Sequence, residues 1–460
     1  MFKIDFKKKI HVFFTGIGGI SMSALAEILL EQGFTVSGSD IKSSDLTQML
    51  EQKGIRIAYE QTENNITEAV DLLVYTAAVN ETHPELAKAK ELGIPIMKRA
   101  ELLGQIMANY KTAIGVSGTH GKTTTTSMLS QILMDGGQDP TVLVGGMFSS
   151  INGNLRIGNS DCFVTEACEY TNSFLSFFPT IEIILNIAED HMDFFKDIDD
   201  IRSSFYQYTR ILPKDGTLII NGDIEQLSYF TDGLNCKAIT FGSKPDSCNY
   251  SAINITYDEF ARGQYDLTKD GQIIGHIQLG VTGLHNIYNS LSAIAAAFEL
   301  GLTLPAIQEA LTHYTGTDRR FQKKGTFHEV TIIDDYAHHP DEIRTTLQTA
   351  RNYPHNQIWC VFQPHTYTRT KAFLKEFASA LSLADHVVLA DIYAAREKNT
   401  LGISSMDLLN ELKNYDTQSD YFPSFDKIEK FLQKSCQPGD LLITMGAGDI
   451  VLVGEHLLQE

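Results

Sequence analysis

Residues 114–133 read IGVSGTHGKTTTTSMLSQIL, a β-branched run that breaks at Gly118 and Gly121, meets a lysine and then takes up a helical pattern. This stretch limits the fold more than any other. Glycine reaches backbone angles closed to other residues, so successive N–H groups can converge on anionic oxygens at the start of a helix. Lys122 adds a point charge for the β and γ phosphates, and Thr123 or Thr124 a hydroxyl for Mg²⁺. The spacing is that of a P-loop, except that Val116 stands where the first glycine of that pattern belongs. Gly118, Thr119, His120, Gly121, Lys122, Thr123 and Thr124 are therefore expected to hold a nucleoside triphosphate. A bare glycine turn would not require strand, loop, lysine, hydroxyl and helix in that order.

Composition narrows what the nucleotide serves. The 460 residues suffice for about three domains at roughly 150 residues each. Against 37 basic residues stand 57 acidic ones, a net charge of −20, which disfavours a nucleic-acid backbone as partner. Cys162, Cys168, Cys236, Cys248, Cys360 and Cys436 show no CxxC or zinc spacing and read as reduced thiols of a cytoplasmic protein. The apolar run before Gly16 is too short for a signal peptide, and no stretch approaches the roughly 18 apolar residues of a membrane span.

The chain predicts an α/β protein of three domains, each built on a mostly parallel sheet flanked by helices. IHVFF, FTVSGSD, VDLLVYT and IPIMK alternate with helices at ISMSALAEILLEQG, DLTQMLEQKG and HPELAKAKELG, giving a Rossmann-like N-terminal domain over 1–110. A central P-loop domain over 111–316 adds strands at DCFVTEA and IEIILNIA, and residues 236–283 read as antiparallel strands on one flank. EVTIIDDY, QIWCVFQ, HVVLADI and DLLITMGAG give a second Rossmann-like domain over 317–460.

In such sheets ligands sit outside the carboxyl ends of the strands. After the first strand come Gly16, Gly18, Gly19 and Ser21, with Asp40 closing the second strand. A glycine loop at a helix start accepts a diphosphate, whether of a dinucleotide or of a UDP sugar. Glu166 closes one central strand, and Glu189, Asp190, His191 and Asp193 follow the next, where Mg²⁺ ligands are expected beside a phosphate loop. His191 is an unusual ligand for magnesium, and on chemistry alone it reads equally as a capping or packing histidine. DDYAHHP places Asp334, Asp335, His338 and His339 after a C-terminal strand, and FQPHTYTRT places His365 and Arg369 after the next. Acid–base work or carboxylate recognition suits these better than a metal.

Taken in order, HVFFTGIGGISMSALAEIL, GVSGTHGKTTT, TEACEYTNSFL, LNIAEDHMD, GLHNIYNSLSAIA, GTDRRFQ, DDYAHHPDEI, FQPHTYTRT and GAGDI span essentially the whole chain. Together they resemble the Mur ligase family of bacterial cell-wall synthesis. DDYAHHP with PHTYTRT narrows the resemblance to the member that joins L-alanine to UDP-N-acetylmuramate. The resemblance implies an ATP- and Mg²⁺-dependent ligase of peptidoglycan precursor synthesis, cytoplasmic, monomeric or homodimeric, acting on small molecules and not on nucleic acid or in a membrane. It implies a UDP-sugar site at Gly16, Gly18, Gly19, Ser21, Asp40 and Thr76, and metal ligands at Thr123, Glu166 and His191. His285, Asn286 and Asn289 would face the adenine, and Arg320 and Asp335 would reach the nucleotide from the third domain. His338, His365 and Arg369 would hold the alanine, with Lys122, His338 and Arg369 as the catalytic set. Several later-acting relatives carry a carbamylated lysine after the EDHMD segment; residues 197–213 contain no lysine, as befits the first-step enzyme. A recycling ligase that joins a ready-made tripeptide is the nearest rival. A NAD-dependent oxidoreductase would leave GTHGKT unused, and a P-loop switch would leave the third domain idle.

Overall fold

The computed structural model describes residues 2–76, 78–192, 194–395 and 397–459. The chain divides into two compact units, Met1–Asn249 with Ser292–Thr303, and Tyr250–Leu291 with Leu304–Glu460.

The first unit opens with strands β1 (His11–Thr15), β2 (Thr35–Ser39), β3 (Arg56–Ala58), β4 (Leu72–Tyr75) and β5 (Ile96–Lys98), all parallel in the order β3-β2-β1-β4-β5. β1 has β2 on one side and β4 on the other, so the winding direction reverses there and opens a crevice at its carboxyl end. β6 (Thr112–Ser117), β7 (Thr141–Phe148), β8 (Gly153–Arg156), β9 (Cys162–Glu166), β10 (Ile181–Ile184), β11 (Thr217–Asn221) and β12 (Lys237–Gly242) follow, ordered β12-β11-β10-β6-β9-β7-β8. All are parallel except the edge strand β8. β9 and β10 flank β6 on opposite sides, so the loops after all three meet at one end of the sheet.

The second unit holds the antiparallel β13 (Tyr250–Tyr257), β14 (Arg262–Lys269) and β15 (Gln272–Thr282). It also holds β16 (Gln322–Phe327), β17 (Val330–Asp335), β18 (Ile358–Phe362), β19 (His386–Leu389), β20 (Gln418–Tyr421) and β21 (Leu441–Met445). These run β16-β17-β21-β18-β19-β20, with only β16 antiparallel.

Parallel strands covered on both faces read as continuous apolar runs. β10 and β21 are buried along their whole length. Alternate residues feed opposite layers: Ile333, Phe362, Leu389 and Ile443 enter one core of the C-terminal sheet, and Ile332, Val361, Val388 and Leu442 the other. The three-domain α/β class expected from sequence is the one observed. Local readings change. β12 pairs parallel with β11, with the helix Ser228–Thr231 in the crossover between them, so the stretch expected to be antiparallel from 236 onward has one parallel pairing. β3, β7, β8, β11, β16 and β20 were not named from sequence; β20 (QSDY), for one, is a polar edge strand without the apolar run that marks buried ones. No described helix is long and apolar enough to cross a membrane.

Candidate active site

The phosphate loop is built as its sequence requires. β6 ends at Ser117 and the helix Lys122–Asp135 begins four residues after Gly118, with Gly121 as N-cap at φ 88°, a left-handed conformation that favours glycine. A Cβ on Gly118 would stand 2.9 Å from the Leu185 Cβ, so the loop needs its absence to lie against the segment after β10. That segment staples it: Asn186 takes the N–H of Thr119 on its carbonyl at 3.1 Å and the N–H of His120 on Oδ1 at 2.8 Å. The Asn186 amide returns a bond to the His120 carbonyl at 2.9 Å. Asn186 was not singled out from sequence, although its place directly after a central strand is the available signal.

Lys122 Nζ donates to the carbonyls of Gly118 and Thr119 and to both oxygens of Glu169, at 3.2 and 3.0 Å. Burial works against its charge, but the Glu169 carboxylate more than offsets this and holds the ammonium above its ordinary value. Glu169, only 2 % exposed, is the functional candidate that sequence reading missed. It lies three residues past Glu166, as the N-cap of an irregular 3₁₀ segment, Tyr170–Ser176, whose Thr171 and Asn172 have positive φ.

Glu166 ends β9 and takes the N–H of Gly145 on Oε1 at 2.6 Å. A Cβ on Gly145 would stand 2.8 Å from that oxygen, and one on Gly146 3.4 Å from the Thr123 methyl. The glycine pair of β7 thus lets Glu166 and Thr123 both crowd one stretch of backbone. His191 has φ 55°, Nε2 3.8 Å from Glu169 Oε1 and from Asp190 Oδ2, and a ring 4.5 Å from that of Tyr170. His191 is therefore no helix cap. Asp193 lies outside the described residues. Thr123, Glu166 and His191 offer a hydroxyl, a carboxylate and an imidazole; the two oxygen donors are of the type a hard divalent ion such as Mg²⁺ takes.

At the carboxyl end of the first sheet, Gly16 and Ile17 donate to the Ser39 carbonyl at 2.8 and 3.0 Å. Asp40 takes the N–H of Gly18 on Oδ2 at 2.8 Å and of Ile41 on Oδ1 at 2.7 Å, so it braces the glycine loop. The helix Ile20–Glu31 starts at Gly19 without a side-chain cap and carries Ser21 in its first turn, leaving N–H groups to meet an anion. Thr76 closes in from the other side of β1; a Cβ on Gly16 would stand 3.3 Å from its methyl.

In the second unit, Asp335 ends β17 and accepts the N–H groups of Phe321 and Ala337, both at 2.8 Å. Burial pushes its carboxyl up to about 6 against the opposing charge of Arg320. Burial, helped by the Arg320 charge, lowers His285 to about 4, and its Nδ1 has no partner among the described residues. Asn289 donates to the Asn286 side chain at 3.1 Å, and Asn286 to the Thr282 carbonyl at 2.7 Å. The neighbour of Arg320 is structural: Arg319 donates to Asp334 at 2.9 Å and to the carbonyls of Gly446 and Gly448.

His338 and His365 come together with ring centroids 5.7 Å apart. His338 holds Nδ1 3.0 Å from the Tyr336 carbonyl and 3.3 Å from Glu342, whereas His339 spends its Nδ1 capping the helix Pro340–Ala350. His365 is lowered to about 4 by burial and by the charges of His338 and of Arg369, which sits on the helix Tyr367–Ala372. A neutral imidazole beside a guanidinium can accept a proton while the guanidinium holds a carboxylate.

Three family models match the chain in succession: the Mur ligase family catalytic domain over residues 11–111, the Mur ligase middle domain over 116–297, and the Mur ligase glutamate ligase domain over 319–448. The chain is 59 % identical to the UDP-N-acetylmuramate–L-alanine ligase of Lachnospira eligens and 57 % to that of Agathobacter rectalis, covering all of each. Among solved structures it is similar to the UDP-N-acetylmuramate-alanine ligase of Thermotoga maritima, at 30 % identity, a TM-score of 0.80 and 98 % coverage of both chains. A murein peptide ligase of Psychrobacter arcticus shares the fold at 24 % identity, a TM-score of 0.71 and 98 % coverage of both chains.

Proposed function

The chain belongs to the Mur ligase family and is an ATP-dependent ligase that adds L-alanine to UDP-N-acetylmuramate; we propose that the reaction runs through an acyl phosphate and that the residues above divide the work. A carboxylate is a poor acyl donor. ATP therefore phosphorylates the lactyl carboxylate first, and the alanine amine then attacks the activated carbonyl and expels phosphate.

The first half-reaction needs positive charge on the transferring phosphoryl group. Lys122 supplies it: its ammonium exchanges the Glu169 carboxylate for phosphate oxygens, while the loop N–H groups hold the remaining charge. Thr123, Glu166 and His191 would hold Mg²⁺, which when bound neutralises phosphate charge. Similarity to the family assigns His285, Asn286 and Asn289 to the adenine and Arg320 and Asp335 to the nucleotide. Gly16, Gly18, Gly19, Ser21, Asp40 and Thr76 bind the UDP sugar.

The second half-reaction needs a neutral amine. Arg369 grips the alanine carboxylate through paired hydrogen bonds, and His338 or His365 orients the amine and receives its proton. The protein acts in the cytoplasm, where these precursors are made. The observation that carries this division is the Lys122–Glu169 pair, a cation held at the head of a glycine loop by a counter-ion that phosphate can replace.

The test is phosphate release from ATP with UDP-N-acetylmuramate and, in turn, L-alanine, glycine, L-serine or the tripeptide. Release that requires the UDP sugar and is strongest with L-alanine supports the reading. Release with the tripeptide alone would assign the recycling reaction instead.

A further inference from the structure

Glu85 lies in the first turn of the helix Pro84–Glu91 and is wholly buried. A buried carboxylate is costly unless hydrogen bonds satisfy it. Here it has three neutral donors from three separate segments. Thr15, the last residue of β1, donates its hydroxyl to Oε2 at 2.7 Å, and Ser39, the last of β2, donates to the same oxygen at 2.8 Å. Asn65, from the turn after β3, donates its amide to Oε1 at 2.7 Å. A second layer closes around them. Gln61 donates to the Ser39 hydroxyl at 3.2 Å and lies 3.3 Å from His83 Nε2, while His83 Nδ1 accepts the N–H of Glu85 at 3.3 Å.

These tethers converge at the winding reversal of the first sheet. Thr15 precedes Gly16, and Ser39 precedes Asp40, the residue that braces Gly18. Glu85 follows the loop that carries Thr76 from β4. One carboxylate therefore joins the two strand ends that carry the glycine loop and its brace to the loop that faces them across the crevice.

We propose that Glu85 is the positioning residue of the UDP-sugar pocket, fixing the loop after β4 against the ends of β1 and β2 so that the pocket is formed before the substrate arrives. The proposal rests on the reading that the glycine loop holds UDP. Its quantitative basis is population: a pocket competent for only a fraction of the time binds its ligand weaker by that fraction. Hydrogen bonds to a buried charge are each worth enough that losing all three should leave the competent form a minority, weakening UDP by about tenfold or more. Glu85→Gln keeps the shape and one acceptor, and the hydroxyls of Thr15 and Ser39 can turn to accept from its amide, so it should recover most of the loss.

The experiment measures binding of UDP and, separately, of a non-hydrolysable ATP analogue to the full chain by calorimetry, with UDP-sugar and ATP KM values from steady-state kinetics. Glu85→Ala, Glu85→Gln, Asn65→Ala and Gly18→Ala are compared with the parent. The expected result is a rise of about tenfold in UDP Kd and UDP-sugar KM for Glu85→Ala. A smaller rise is expected for Glu85→Gln and Asn65→Ala, with ATP-analogue binding and kcat unchanged in the Glu85 and Asn65 variants. If Glu85→Ala does not fold, Asn65→Ala, which removes the amide that bridges Glu85 Oε1 and the Glu60 carbonyl and leaves the buried carboxylate with its two hydroxyl donors, decides alone. Parental UDP affinity in the Glu85 and Asn65 variants, with UDP binding lost in Gly18→Ala, overturns the proposal. Parental UDP affinity in Gly18→Ala as well overturns the placement of UDP on which it rests, because a Cβ there would stand 2.8 Å from both Asp40 Oδ2 and the Thr47 methyl.

Discussion

Replacing Glu169 by glutamine should destabilise the empty enzyme and tighten its hold on nucleotide by the same amount. The pair that breaks is largely buried: the Glu169 side chain is 3 % exposed and that of Lys122 15 %. Removing one partner of a fully buried ion pair costs about 3–5 kcal/mol. Lys122 keeps two carbonyl acceptors and some contact with water, and glutamine keeps one acceptor, so the loss should fall to about 2 kcal/mol. For a unit of this size that lowers the melting midpoint by about 4–8 °C. When nucleotide binds, phosphate oxygens become the counter-ion for Lys122 in parent and variant alike. The deficit should then largely vanish, and the cycle closes only if the variant binds the nucleotide tighter by the same 2 kcal/mol, about thirtyfold.

The assay is thermal unfolding of Glu169→Gln and parent, with and without a saturating non-hydrolysable ATP analogue, together with calorimetric Kd values. The pH dependence is a further check. A lysine whose folded pKa is raised contributes stability that is complete below its unfolded value and lost only as pH climbs through the folded one. The Lys122 contribution should therefore be flat between about pH 6 and 9. An equal melting deficit with and without nucleotide would show that Lys122 never leaves Glu169 for phosphate, and the charge exchange at the centre of the mechanism would fail.

Lys122→Ala should cut turnover by about a hundredfold or more while UDP binding stays at the parental level, since the lost charge acts on the phosphoryl group; loss of UDP binding would refute the division between loops. Arg369→Lys should raise the KM for alanine and spare hydroxylamine-trapped acyl phosphate, because lysine cannot reproduce the paired grip on a carboxylate; loss of the trapped intermediate at unchanged alanine KM would refute this. His191→Ala should shift the Mg²⁺ titration of activity to higher concentration, and a curve that overlays the parent refutes a metal role. Glu182, wholly buried in β10 with neither oxygen partnered among the described residues, has its carboxyl pushed well up by burial. The folded state then keeps a proton that the unfolded chain releases, so the cost of Glu182 grows as pH rises from the ordinary carboxylate range. Denaturant melts should find Glu182→Gln equal to the parent near about pH 4.5 and more stable by about 1–3 kcal/mol at about pH 8.

The sequence is readable where local backbone chemistry and function coincide. GTHGKT announces a strand, a glycine turn and a helix because those residues can do little else, and the structure has β6, Gly121 at φ 88° and the helix from Lys122 in that order. DDYAHHP is legible for the same reason, as a buried strand ending in acids before a helix begun by Pro340. What stays hidden are the partners that tune these groups. Glu169 lies 47 residues from Lys122, on a segment whose positive φ values erase any helical or strand period. Glu85 looks like any acid in the first turn of a helix, where the macrodipole already explains it. Only the register that sets β1 beside β2 and β4 reveals that its carboxylate ties three segments together. Motifs mark the atoms that touch substrate because their spacing along the chain is fixed by the loop that bears them. The acids that hold those loops are fixed by topology, and their spacing in sequence carries no mark of it. A search confined to motif residues would therefore find Lys122 and Asp40 and overlook Glu169 and Glu85, the buried carboxylates that pair with Lys122 and with the ends of β1 and β2.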